Sequence, residues 1–97
     1  MAISVIGTPQ AGAAANGGNV TLTFAGGSPI AGDVVILWGG HFNRGTVGAS
    51  TSGYTNIIND VASSPAVACA YKVMGSSPDT TVVGLGSGNP QDAAAYC

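Results

Sequence analysis

Asn19-Val20-Thr21-Leu22-Thr23-Phe24 and, after the turn-forming Gly26-Gly27-Ser28-Pro29, Asp33-Val34-Val35-Ile36-Leu37-Trp38 are the stretches that decide the fold. The first has period two: Val20, Leu22 and Phe24 fall on one face, Thr21 and Thr23 on the other, as in a strand covered on one side only. The second is apolar without interruption and reads as a strand buried on both faces. Two such strands joined through glycine and proline point to an antiparallel β-sandwich.

Working outward, residues 3–6 read as a first strand ended by Gly7-Thr8-Pro9, and residues 10–18 as a loop, because closely spaced glycines discourage helix despite the alanines. Residues 39–53 read as a long irregular polar loop, the kind of segment on which binding residues usually sit. Residues 54–58 suit a short strand or turn. Residues 65–74 carry two signals. Ser64-Pro65 and Gly75 could frame a helix, but Val67, Cys69, Tyr71 and Val73 alternate with Ala66, Ala68, Ala70 and Lys72, which is the period of a strand and is preferred. Residues 80–85 form a further strand rich in β-branched residues. A last strand opens at residue 93, and the sequence stops inside that apolar run, so either a partner completes the strand or the chain belongs to a longer protein. The expected fold is all-β: a single jelly-roll or immunoglobulin-like antiparallel sandwich, residues 1–97, of about six or seven strands.

The 97 residues suffice for one domain with a small core. Only six side chains are charged, Asp33, Asp60, Asp79, Asp92, Arg44 and Lys72, far below the roughly one quarter usual in soluble domains. Scarce charge predicts a chain that associates or precipitates when alone in solution. A net charge of −2 offers no basic patch for phosphates, which argues against a nucleic-acid partner. No run of about eighteen apolar residues suggests a membrane span, and residues 1–7 lack the pattern of a secretory signal, as expected of a protein made in the cytoplasm. Cys69 and Cys97 are then expected as free thiols, a disulfide requiring adjacent strands and an oxidising site.

The chemistry-bearing inventory is thin. His41 is the one histidine; with Arg44 and a remote aspartate it could form an acid–base pair, but without any glutamate the set is poor for catalysis, and polar loop groups satisfied by water or a partner are the simpler reading. No short-spaced ligand pair suggests a metal, and no cofactor is expected. Gly84-Leu85-Gly86-Ser87-Gly88 lacks the lysine and following helix of a phosphate loop. Gly48-Ala49-Ser50-Thr51-Ser52-Gly53 misses the spacing of a nucleophile elbow. Trp38 and Tyr71 read as core. The candidate contact residues are His41, Phe42, Asn43 and Arg44 on the long loop and Tyr54 beside it, with Phe42 and Tyr54 the best placed to touch a partner.

In order and spacing, five pieces resemble a β-sandwich module of phage virion proteins and prophage-derived bacterial proteins. They are the strand at residues 19–24; Ala31-Gly32-Asp33-Val34-Val35-Ile36, a Gly-Asp entry into the central strand; Ser52-Gly53-Tyr54-Thr55, at the position of a Gly-Trp turn; Ala70-Tyr71-Lys72-Val73-Met74-Gly75; and Ala94-Ala95-Tyr96, which looks like the opening of the family's final strand. The resemblance covers most of residues 18–97. It implies a non-enzymatic virion structural protein that decorates or cements a capsid. Its implied partners are the major capsid protein, other virion proteins and further copies of itself. A tail or fibre module is the alternative within the class. Outside it stands a glycan-binding adhesin module using Phe42 and Tyr54 with Asn43 and Arg44.

Overall fold

The structure, a computed structural model, describes residues 4–97. These form seven strands and, among the described residues, no helix: β1 (Gly12–Ala14), β2 (Val20–Thr23), β3 (Val34–His41), β4 (Thr55–Asp60), β5 (Ala66–Val73), β6 (Thr81–Gly84) and β7 (Ala94–Tyr96). A five-stranded sheet in the order β1-β7-β3-β5-β4 packs against a two-stranded sheet, β2-β6, and all pairings are antiparallel. The all-β sandwich expected from the two opening stretches is the fold observed. Isolated bridges at Thr8↔Ala25 and Ala49↔Gly84 widen the smaller sheet on both sides.

The long ladder is β3 with β5, in unbroken register from Val34↔Val73 to His41↔Ala66. The strand reading of residues 65–74 is therefore correct. Asp33 starts the ladder: its carboxylate accepts the Ile30 N–H at 2.8 Å, its own N–H donates to the Ile30 carbonyl, and Met74 donates to its carbonyl at 2.8 Å, closing the Gly-Asp turn onto β5. The pairing of β4 with β5 carries a bulge between Asn56 and Ile58.

Several boundaries differ from expectation. The alanine–glycine stretch taken as loop contains β1, paired with β7, and returns through Ala15-Asn16-Gly17-Gly18. There Asn16 and Gly17 both have positive φ (57° and 74°) and Gly18 donates to the Ala15 carbonyl, the geometry of a tight type I′ turn. Of the strand expected at residues 3–6, Ile3 lies outside the described residues and Ser4 to Ile6 are not in a strand. The central strand runs on through Gly39 and Gly40 to His41, so the polar loop begins at Phe42.

The largest correction concerns which faces are buried. The core comprises Val20, Leu22, Leu37, Val47, Ala66, Ala68, Val82, Ala94 and Tyr96, with Ala14, Phe24, Ala49 and Tyr54 packed on it. On β5 the alanines turn inward and Val67, Tyr71 and Val73 outward, and on β3 Leu37 is 1% exposed while Trp38 is 59% exposed. The period of two holds, but Trp38 and Tyr71, expected in the core, stand on the outer face. Nor is β3 buried on both faces, because the two-stranded sheet covers only one. Tyr96 explains the small residues on the inner side: its ring lies against the Cα of Gly84, where any β-carbon would collide with it, and fills the space that larger neighbours would need.

Leu37→Ala should therefore cost about 3 kcal/mol in urea unfolding, and Gly84→Ala about 1–3 kcal/mol through overpacking on Tyr96. Trp38→Ala should cost clearly less than Leu37→Ala. Equal losses for Leu37 and Trp38 would mean that both faces are buried after all.

Candidate functional site

The loop that follows β3 is tied to the rest of the molecule by Asp92, a residue the sequence did not single out. Its carboxylate accepts N–H groups from Phe42 (3.0 Å), Asn43 (3.2 Å) and Ala93 (2.9 Å), and lies 3.5 Å from His41 Nδ1. The hydroxyl of Ser87 is the main cause holding this carboxyl below the ordinary carboxylate value, with those backbone donors adding to it against the opposing effect of burial. His41 Nε2 lies 2.9 Å from the Thr46 carbonyl, which can only accept, so the ring carries a proton on that nitrogen. Both His41 and Asp92 are buried.

The imagined acid–base pair thus exists in space, with Asp92 as the remote aspartate, but it works as a clamp. One imidazole nitrogen is committed to Thr46, the other faces a carboxylate already shared among backbone donors, and neither is open to a substrate. Of the two ring nitrogens only Nε2 has a hydrogen-bond partner among the described residues; Nδ1 is buried without one, 3.5 Å from the Asp92 carboxylate. Phe42, Asn43 and Arg44 project beyond the clamp, Phe42 being 69% exposed. The backbone is pinned at residues 42 and 43, which fixes where the exposed Phe42 ring stands.

Tyr54 lies elsewhere. It is half-buried against the core, beneath the Lys72 ammonium at 5.8 Å from its ring centroid, and Lys72 in turn pairs with Asp79 at 2.7 Å. Burial, and after it the charge of Asp79, pushes the phenol up to about 12, so it stays neutral and serves neither as a base nor as an exposed platform. Thr55 pairs with Tyr71 whereas His41 pairs with Ala66, which puts Tyr54 and Phe42 near opposite ends of β5, roughly 20 Å apart at about 3.3 Å per residue. Four of the five candidate contact residues come together; Tyr54 does not join them.

The more extensive feature is the outer face of the five-stranded sheet. Register sets Val34 beside Val73, Ile36 beside Tyr71, and Trp38 beside Cys69, with Ile58 next to Cys69 on β4. Phe42 and Val67 extend the same face, and all the large apolar members are exposed. Together they present on the order of 800 Å² of apolar surface, above the roughly 300–600 Å² of the largest patch on a typical monomer. Asp60, at one rim, spends its carboxylate on the N–H groups of Ala62 and Ser63. Toward β7 the row ends at Cys97, which exchanges both backbone hydrogen bonds with Trp38 at 2.9 and 2.8 Å. Cys97 and Cys69 therefore flank Trp38 on the same face, two strand spacings or about 9.6 Å apart, and an intramolecular disulfide between them is out of reach.

Beyond the Trp38–Cys97 pair, residues 34–37 form a sheet edge beside a cavity of about 880 Å³, whose lining includes Leu22, Phe24, Val35, Leu37 and Val82. Among the described residues, no three of His, Cys, Asp and Glu gather as a metal site would require. Compared with known protein families, with curated proteins and with solved structures, the chain finds no match.

Sequence reasoning missed Asp92 because its partners lie about fifty residues away, and missed the outer face because an unbroken apolar strand suggests cover on both sides. Since the folded Asp92 carboxyl sits below its ordinary value of 3.8, its contribution to stability is whole above that pH and is lost as pH falls through the lower folded value. Asp60, lowered chiefly by the Ser63 hydroxyl, acts in the same sense. Asp92→Asn should lower stability at neutral pH and flatten, without abolishing, the decline below about pH 4 seen in acid unfolding; an unchanged acid profile would remove Asp92 from the clamp.

Proposed function

We propose that the chain is a non-enzymatic structural protein of a phage virion, one that decorates or cements the capsid. The observation that carries this reading is the apolar outer face of the five-stranded sheet. An exposed patch of this size supports a surface that lies against protein, and the scarcity of charge around it leaves little to keep free copies apart. The resemblance of most of residues 18–97 to virion β-sandwich modules suggests the setting. On a symmetric lattice each copy needs only modest affinity, because many contacts act together.

The same face would serve a tail or fibre module equally well. A glycan-binding module is less well supported, since Phe42 and Tyr54, the two rings meant to stack on a sugar, stand at opposite ends of the sheet. A catalytic role finds no support in His41, whose ring nitrogens are turned inward.

Mass spectrometry and antibody labelling of density-purified particles of the phage encoding the chain provide the test. The expected result is the chain present in many copies on the capsid surface, with incorporation reduced at least tenfold by Ile36→Lys combined with Trp38→Glu. Particles that lack the chain, or that incorporate the double variant as well as the wild type, would contradict the reading.

A further inference from the structure

Beside the exposed Trp38, the outer face holds a shallow groove of about 380 Å³, apolar throughout, lined by Ala13, Gly40, Val67 and Ala95 with Trp38 and Phe42 at its two ends. It exists because three neighbouring strands carry small residues in one row, Ala13 paired with Ala95 and Ala95 with Gly40, with Val67 of β5 bounding the row beside Gly40. The next row along holds Trp38. A large apolar knob and a hole of matching chemistry therefore sit side by side on one surface, two residues apart on the same strand.

We infer that this face binds a second copy of the chain, the Trp38 indole of each copy seating in the groove over Gly40 and Ala95 of the other. The inference rests on the reading of the outer face as an assembly surface and names its occupant. A two-fold axis running across the strands between the rows of Trp38 and Gly40 turns each knob onto the opposite hole, the self-complementarity that an isologous interface requires. The two sheets would then pack face to face about 10 Å apart, as in the interior of a sandwich. The exposed apolar area matches the roughly 800 Å² per partner of a standard stable interface. The electrostatics do little to oppose it: the rows of Val34, Ile36, Trp38 and Gly40 and their β5 partners carry no charged side chain, and Asp60, which continues the Gly40–Val67 row on β4, lies at the rim with its carboxylate held by the Ala62 and Ser63 N–H groups. A central tryptophan entering an apolar pocket is the kind of anchor that dominates interface energies.

Sedimentation of the purified chain across a range of concentrations tests this. The wild type should show a reversible monomer–dimer equilibrium. Trp38→Ser, which removes the knob, and Ala95→Phe, which fills the hole from an exposed position, should each weaken dimerisation at least tenfold while circular dichroism shows the fold intact. In a Cys97→Ala background, a short bismaleimide should join Cys69 of one copy to Cys69 of another, and Trp38→Ser should suppress that product. A wild type that stays monomeric at high concentration, or variants that dimerise like the wild type, would overturn the inference. If such a monomer is nevertheless found on purified particles, the dimer fails and the virion reading stands; a dimer that is absent from particles gives the reverse.

Discussion

Two strands cover one side of a five-stranded sheet, and that mismatch governs the rest of the molecule. The core has room only for what β2 and β6 can shield, so the inner residues of β5 and the first of β7 are alanines while Leu37, Leu22, Val82 and Tyr96 fill the middle. Everything large and apolar that does not fit there stands on the far side, where pairs such as Ile36 with Tyr71 and Trp38 with Cys69 shield one another laterally but remain open to water. A sheet of this kind leaves one whole face open to solvent.

The clamp at the end of β3 belongs to the same scheme. Gly39 and Gly40 carry the strand past β7 to His41, where Asp92 draws in the backbone of Phe42 and Asn43 and the Thr46 carbonyl holds the ring. The Asp92 carboxylate is satisfied by three backbone N–H groups and His41 Nε2 by the Thr46 carbonyl, which is how both side chains persist in the interior, with Nδ1 the one ring nitrogen left without a partner among the described residues. Their effect is to fix the direction in which Phe42 leaves the sheet and hence one end of the groove beside Trp38. The histidine and aspartate suggested as an acid–base pair are thus held inward, tying the loop to the sheet.

Much of the fold is legible in the residues themselves. Period-two alternation marks β2 and settles β5 against the helix suggested by Ser64-Pro65, and the Gly-Asp turn before β3 announces the central strand. What cannot be read locally is the side of a sheet on which cover lies, because alternation gives two faces and no label. In β5 the size of Tyr71 suggests core, yet the partner layer is narrow and Tyr96 comes from 25 residues further on to occupy it. Asp92 was illegible for a related reason: its partners are fixed by the return of β7 alongside β3, a fact of topology rather than of spacing. Tyr54 misled through its place beside a polar tract, although its side chain turns back beneath Lys72.

Trp38 is the only tryptophan of the chain and stands at the centre of the uncovered face, so its fluorescence reports on that face directly. In dilute solution the emission should be red-shifted and readily quenched by acrylamide, and it should shift to the blue and become shielded as concentration rises. Emission that is blue-shifted and shielded at every dilution would place Trp38 inside its own domain and contradict the one-sided sheet.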